Sequence, residues 1–117
     1  MIKSVGPYSV AIKVGNFIFL SGMIGLKENS SELIAEDVII QTEQIFKNLQ
    51  RILTFLGLDT GKIIKSTVYT TEIEQFNSIN EIYQKFLKPP YPARVVVGVS
   101  KLPLNAKIEI EFLLTCS

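Results

Sequence analysis

The chain has 117 residues, 47% of them hydrophobic, with twelve Lys and Arg against eleven Asp and Glu. That length suits one domain spanning 1–117, and the balanced charge lacks the basic excess of an electrostatic nucleic-acid binder. There is no His and a single Cys, Cys116, so Ser-His-Asp and Cys-His catalysis, an internal disulfide and a Cys-cluster metal site are excluded within one chain.

Residues 9–21 read as a β-hairpin. Val10, Ile12 and Val14 alternate with Ser9, Ala11 and Lys13, and Gly15-Asn16 is a two-residue turn of the kind that accepts positive φ. Phe17 to Ser21 returns, Gly22 and Gly25 break the pattern, and polar Lys27 to Ser31 reads as a loop. From Asp37 to Leu56 the period changes. Val38, Ile45, Leu49, Ile52, Leu53 and Leu56 fall on one helix face. Asp37 suits the N-cap and Gly57 the C-terminal cap.

Lys62 to Thr71, rich in Ile, Thr, Val and Tyr, predicts a strand. Phe76, Ile79, Tyr83, Phe86 and Leu87 return to helical spacing, and Pro89-Pro90 ends that helix. Two strands close the chain. In the first, Arg94, Val96 and Gly98 oppose Val95, Val97 and Val99. After a turn at Leu102 to Ala106, the second sets Ile108, Ile110, Phe112 and Leu114 against Lys107, Glu109, Glu111 and Leu113.

The order is β-β-α-β-α-β-β, an α+β protein whose two helices cover only one face of the sheet. Alternation assigns Arg94, Val96, Glu109 and Leu113 to the other face. That mixture of charge and apolar surface fits packing against neighbouring subunits with polar clefts between them. The high apolar fraction points the same way, because a small domain has too much surface to hide everything alone. Pro7, Ser9 and Lys13 interrupt any signal-peptide core, and no apolar run approaches the ~18 residues of a membrane span. A cytoplasmic protein with no membrane partner is expected.

Arg94 and Glu109 are the foremost candidates for chemistry. If their strands pair as a hairpin, the two side chains approach each other. Arg offers a planar fork for a carboxylate, and Glu is the nearest general base in a chain without His. On the residues alone a cross-strand ion pair is the heavier reading, since such pairs are common. Gly6-Pro7-Tyr8-Ser9 is a turn before a strand or an aromatic pocket wall. Ser21-Gly22 is a strand end or a hydroxyl and close-approach backbone in a cleft. Asn80 reads as a hydrogen-bonding structural residue, and Cys116 has no assigned role.

Together these pieces resemble the Rid/YjgF family of reactive-intermediate (enamine/imine) deaminases. The resemblance is carried by Gly6-Pro7-Tyr8-Ser9, by Gly15-Asn16 leading into Leu20-Ser21-Gly22, by Tyr91-Pro92-Ala93-Arg94, and by Leu102-Pro103 followed by Lys107-Ile108-Glu109-Ile110-Glu111. It covers about residues 6 to 115. It implies a chorismate-mutase-like fold, a mixed sheet with two helices on one face, and a homotrimer with clefts between subunits. It further implies that Arg94 holds a substrate carboxylate, that Glu109 positions and activates water, and that Tyr8, Ser21 and Gly22 line the pocket. Two positions depart from the family pattern. Val96 stands where many members have Cys, although its backbone N–H remains available to a substrate, and Met23 stands where many have Gln.

The resemblance implies hydrolysis of 2-imino acids, of the 2-iminobutanoate and 2-iminopropanoate type, to 2-oxo acids and ammonia, with no metal or organic cofactor. The alternative is a non-catalytic binding module or regulator for 2-oxo acids and similar carboxylates at the same clefts. Ribonuclease or translation-inhibitor activity is also ascribed to relatives. The absence of His and of a basic run, and a net charge of only +1, argue against it here.

Overall fold

In the computed structural model, which describes residues 8–117, the first hairpin forms where the alternation places it. Strands β1 (Ala11–Val14) and β2 (Phe17–Leu20) pair antiparallel with Val14 opposite Phe17, which leaves Gly15-Asn16 as the turn. Gly15 takes φ 59°, a left-handed conformation that costs glycine nothing. Gly6 and Pro7 lie outside the described residues.

Helix α1 (Val38–Leu56) begins and ends on the expected caps. The Asp37 carboxylate accepts from the N–H groups of Ile39 and Ile40 at 2.8 and 2.9 Å, which satisfies two donors that the first turn leaves orphaned and stabilises by ~1 kcal/mol. Gly57 ends the helix at φ 73°. The N–H of Leu58 then reaches back to the Leu53 carbonyl at 2.8 Å, as in a Schellman cap.

Strand β3 (Ile63–Thr70), helix α2 (Phe76–Phe86), strand β4 (Ala93–Gly98) and strand β5 (Ile108–Thr115) follow. The sheet order is β1-β2-β5-β3-β4. Strands β3 and β4 are parallel neighbours joined through α2, and every other pairing is antiparallel. The expected hairpin between the last two strands does not form. A parallel return requires a crossover, here through α2, and it carries β4 to the sheet edge. Strand β5 then inserts between β2 and β3, where it is paired on both sides.

Both helices cover one face, as the pattern predicts. Beneath them Ile18, Leu20, Val68, Ile108, Ile110, Phe112 and Leu114 are buried. Phe46 of α1 is the hub, with its ring centroid 5.1 Å from Tyr83, 5.3 Å from Phe86 and 5.8 Å from Phe112. Buried polar groups are paired. The Ser66 and Tyr83 hydroxyls share a hydrogen bond of 2.9 Å. The Gln41 side chain donates to the Ala35 carbonyl and accepts from the Lys107 N–H, which ties the start of α1 to the approach to β5.

The opposite face has no covering layer among the described residues. In register, Ile12, Val14, Phe17, Phe19 and Leu113 form its apolar side, and Val95 and Val97 form another strip along β4. Between them run Lys65, Thr67, Tyr69, Glu109 and Glu111. Phe17 is 47% and Phe19 49% exposed.

Candidate functional site

Glu109 projects from β5 onto the open face, directly across from Tyr69 of β3. It is half-buried, and no described residue hydrogen-bonds or ion-pairs with its carboxylate. Burial pushes its pKa up from the ordinary carboxylate value, and the neighbouring charge of Glu111 adds to the rise. Glu111 itself accepts from the Tyr69 hydroxyl at 3.1 Å.

The backbone that holds Glu109 is fixed from its other side. Met23 and Ile110 exchange both backbone hydrogen bonds, at 2.8 and 2.9 Å. This isolated bridge brings the Ser21-Gly22-Met23 segment against the Glu109 side chain. A Cβ on Gly22 would overlap the Glu109 carboxylate and stand 3.0 Å from its Cδ. With the carboxylate placed here only glycine fits, and any larger residue would have to swing the Glu109 side chain aside.

A cavity of about 870 Å³ opens here, lined by Tyr8, Ser21, Gly22, Met23 and Glu109 together with Asn48, Arg51 and Leu104 among others. The Ser21 hydroxyl donates to the Ser9 carbonyl at 2.6 Å, and its N–H donates to Val10. These bonds anchor the backbone that follows Tyr8 and leave the hydroxyl lone pairs as acceptors. Leu104, in the turn before β5, holds φ 57°, which is uncommon for a leucine.

Arg94 is elsewhere. The expectation that it shares the open face with Glu109 is overturned. Arg94 pairs in register with Ser66, and Val96 with Val68, both of them buried beneath the helices. Arg94 and Val96 therefore face α2, and Val95 and Val97 take the open side. Arg94 Nη1 donates to the Asn80 Oδ1 at 2.8 Å, and the guanidinium lies 4.8 Å from the Tyr83 ring centroid and 5.3 Å from that of Phe76. The aromatic faces attract the cation and hold it in place. Two strand spacings separate β4 from β5, and the register shifts Arg94 a further three residues along, so the two backbones stand roughly 10 Å apart across the sheet and roughly 10 Å apart along it. Neither Arg94 nor Val96 lines the Glu109 cavity.

The Val96 side chain packs against the core, but its backbone has a different outlook. The Val99 N–H bonds to Thr70 of β3. By strand alternation the amides of Arg94, Val96 and Gly98 point to the free edge of β4. Among the described residues no group of three or more His, Cys, Asp or Glu is placed to hold a metal ion, and no helix is long and apolar enough to cross a membrane.

The Endoribonuclease L-PSP family model matches residues 1–116. The chain belongs to this family, Rid/YjgF. It is 45% identical over 112 residues to Reactive Intermediate Deaminase A, chloroplastic, of Arabidopsis thaliana, which covers 96% of this chain and 60% of that longer protein. It is 39% identical over 108 residues to the 2-iminobutanoate/2-iminopropanoate deaminase of Homo sapiens, covering 92% of this chain and 79% of the human one. The crystal structure of RidA from an Antarctic Psychrobacter species superposes with a TM-score of 0.91 at 37% identity, covering 97% of this chain and 91% of that one.

In this Rid/YjgF chain some residues of the site escaped sequence reading. Phe76, Asn80 and Tyr83 are spaced four and three apart, on one stripe of α2. Phe76 and Tyr83 read simply as a core face until β4 is known to lie against them, whereas Asn80, read as a hydrogen-bonding structural residue, does hydrogen-bond, to Arg94. Arg51 and Asn48 sit on α1, whose periodicity gave no hint that its polar flank borders a cavity. Met23 stood out as a departure from the family pattern, and it lies beside Glu109.

Proposed function

We propose that the protein hydrolyses 2-imino acids, and the enamines that feed them, to 2-oxo acids and ammonia in clefts between copies of the chain. The observation that carries this reading is Glu109, a half-buried carboxylate with no partner among the described residues and a raised pKa, in a cavity with Tyr8, Ser21 and Gly22. An unpaired carboxylate that has been partly desolvated is suited to take and return a proton near neutral pH. The names borne by the Arabidopsis and human relatives support the same chemistry.

Glu109 accepts a proton from a water, whose oxygen bonds to the imine carbon. The carbinolamine that results collapses, the C–N bond breaks, and ammonia leaves with the proton returned by Glu109. Arg94 supplies the carboxylate clamp from a neighbouring copy. Its separation from Glu109 within one chain supports that division, as does its position beside the free edge of β4. The outward amide of Val96 on the same edge is a second donor for the substrate. The exposed apolar strips of the open face support assembly, since contiguous surface of that kind marks an interface. A homotrimer, as the family resemblance implies, closes such heterologous contacts into a ring.

Val96 and Met23 favour a second reading, a module that binds 2-oxo acids without turnover. The experiment is imine hydrolysis, with 2-iminobutanoate generated in situ and semicarbazide competing for it. Wild type should suppress semicarbazone formation, and Arg94→Ala and Glu109→Gln should not. If wild type leaves the semicarbazone yield untouched while 2-oxobutanoate still binds in an Arg94-dependent manner, the binding module replaces the enzyme.

A further inference from the structure

The cavity beside Glu109 is large for the smallest imino acids. Cavities of about 300–1,000 Å³ hold drug-sized ligands, and this one measures about 870 Å³. A methyl or ethyl side chain would leave most of it to water. We propose that the cavity receives the imino-acid side chain and selects long apolar groups, branched, thioether or aromatic, over methyl and ethyl. The proposal rests on the deaminase reading above and names its substrate class.

The wall chemistry supports it. Val10, Met23, Ile24, Leu26 and Ile52 contribute aliphatic or thioether surface to the lining. A second, smaller hollow shares Val10, Asn29, Arg51 and Ile52 with the first and adds Ala11, Phe55 and Leu56 with Glu28 at its rim, but Glu109 has no part in it. The two hollows adjoin through these shared residues, and an occupant with its imine carbon at Glu109 would extend its side chain toward the last turns of α1.

Charge argues against a polar or acidic side chain. The two cations that line the cavity each have an acidic partner. Arg51 lies 3.2 Å from Glu28, and Lys27 lies 3.1 Å from Glu32. Both are solvent-accessible and already neutralised by these partners, which weakens their pull on a second substrate carboxylate, and Glu109 itself repels one.

Met23 is the residue that tunes the choice. Its backbone is locked to Ile110 by both hydrogen bonds, so its side chain leaves a fixed point on the core side of the sheet, in the cavity lining and one residue out of phase with Glu109. A thioether is unbranched and polarisable, and it adapts to apolar groups of different shape. A Gln at this position would instead present an amide that prefers hydrogen bonds to alkyl contact.

The reaction is the hydrolysis already described, with water adding to the imine carbon and ammonia leaving, and no redox step. The test uses an L-amino-acid oxidase to generate imines from alanine, 2-aminobutyrate, leucine, methionine and phenylalanine, with semicarbazide as competitor. The expected result is a kcat/KM for the leucine and methionine imines about tenfold or more above that for the alanine imine, the scale of methylene discrimination in an apolar pocket. Met23→Gln and Leu26→Trp should each lower that ratio. A general folding defect would lower both rates together and leave the ratio alone. Equal or better turnover of the alanine and 2-aminobutyrate imines overturns the selectivity and leaves the deaminase reading standing. So does a leucine-to-alanine ratio that neither variant moves. Failure to hydrolyse any imine removes the deaminase reading, and the selectivity falls with it.

Discussion

On the helix side of the sheet, every inward side chain of β5 is buried, and the polar side chains packed on that side, Ser66, Tyr83 and Gln41, are paired. On the other side the same strand carries Glu109 without a partner among the described residues, flanked by strips of exposed valine and phenylalanine. One strand thus serves two environments, one residue out of phase. The covered face is finished within the chain. The open face holds apolar area and a raised carboxylate that no described residue covers or pairs. Stability and function are assigned here by the parity of a β-strand.

The sharpest way to break that comparison is at Gly22. Gly22→Ala places a methyl where the Glu109 carboxylate sits. A loss of imine hydrolysis on the order of 10²–10⁴-fold is expected, the scale of general acid–base catalysis, with circular dichroism and Tm close to wild type. On the covered face, Phe46→Ala removes the aromatic hub. Chemical denaturation should show a loss of about 3–5 kcal/mol. On the open face, Phe19→Asp should leave secondary structure intact and shift sedimentation toward smaller species, because Phe19 has no covering layer to lose. If Phe19→Asp unfolds the chain while Phe46→Ala is tolerated, the division between the faces is wrong.

A smaller effect sharpens the account of Glu109. Its raised pKa means that it stays protonated to higher pH than an ordinary glutamate, so the acid limb of kcat/KM lies above the usual carboxylate range. Burial is the larger cause and Glu111 the lesser. Glu111→Gln should move the limb modestly to lower pH, as a pH–rate profile would show, and a limb that rises instead contradicts the assignment. Stability follows the same sign. A carboxyl whose pKa is higher folded than unfolded loses stability as pH climbs from the unfolded value through the folded one. Glu109→Gln should therefore raise Tm slightly at neutral pH while abolishing activity.

Much of this was legible in the residues. Asp37 and Gly57 bracket α1 because caps are local chemistry, and Gly15-Asn16 fixes the hairpin for the same reason. The alternation of Arg94 and Val96 against Val95 and Val97 was also legible. Its orientation was not. Three consecutive valines give a strand no polar side, so its pattern does not say which face meets the helices. The pairing of Arg94 with Ser66 decides it, and that contact joins residues far apart in sequence. The same holds for β5. Consecutive strands often pair, which made a hairpin the natural expectation. The crossover through α2 sends β4 to the edge instead. Gly22 was visible as a glycine, but its cause, the Glu109 carboxylate, appears only once Met23 bridges to Ile110.

We infer that Arg94 and Glu109, on opposite faces of one sheet, meet across two copies of the chain. Mixing two inactive variants tests it most directly. Arg94→Ala and Glu109→Gln should each be inactive alone. Dissociated together in equal amounts and reassembled, they form hybrid interfaces in which one copy contributes Glu109 and its neighbour contributes Arg94. About a quarter of the interfaces in a randomly mixed, heterologous ring carry both groups, and imine hydrolysis should return to about that fraction of wild type. Mixed assemblies, verified by mass, that remain as inactive as either parent would contradict a site shared between subunits.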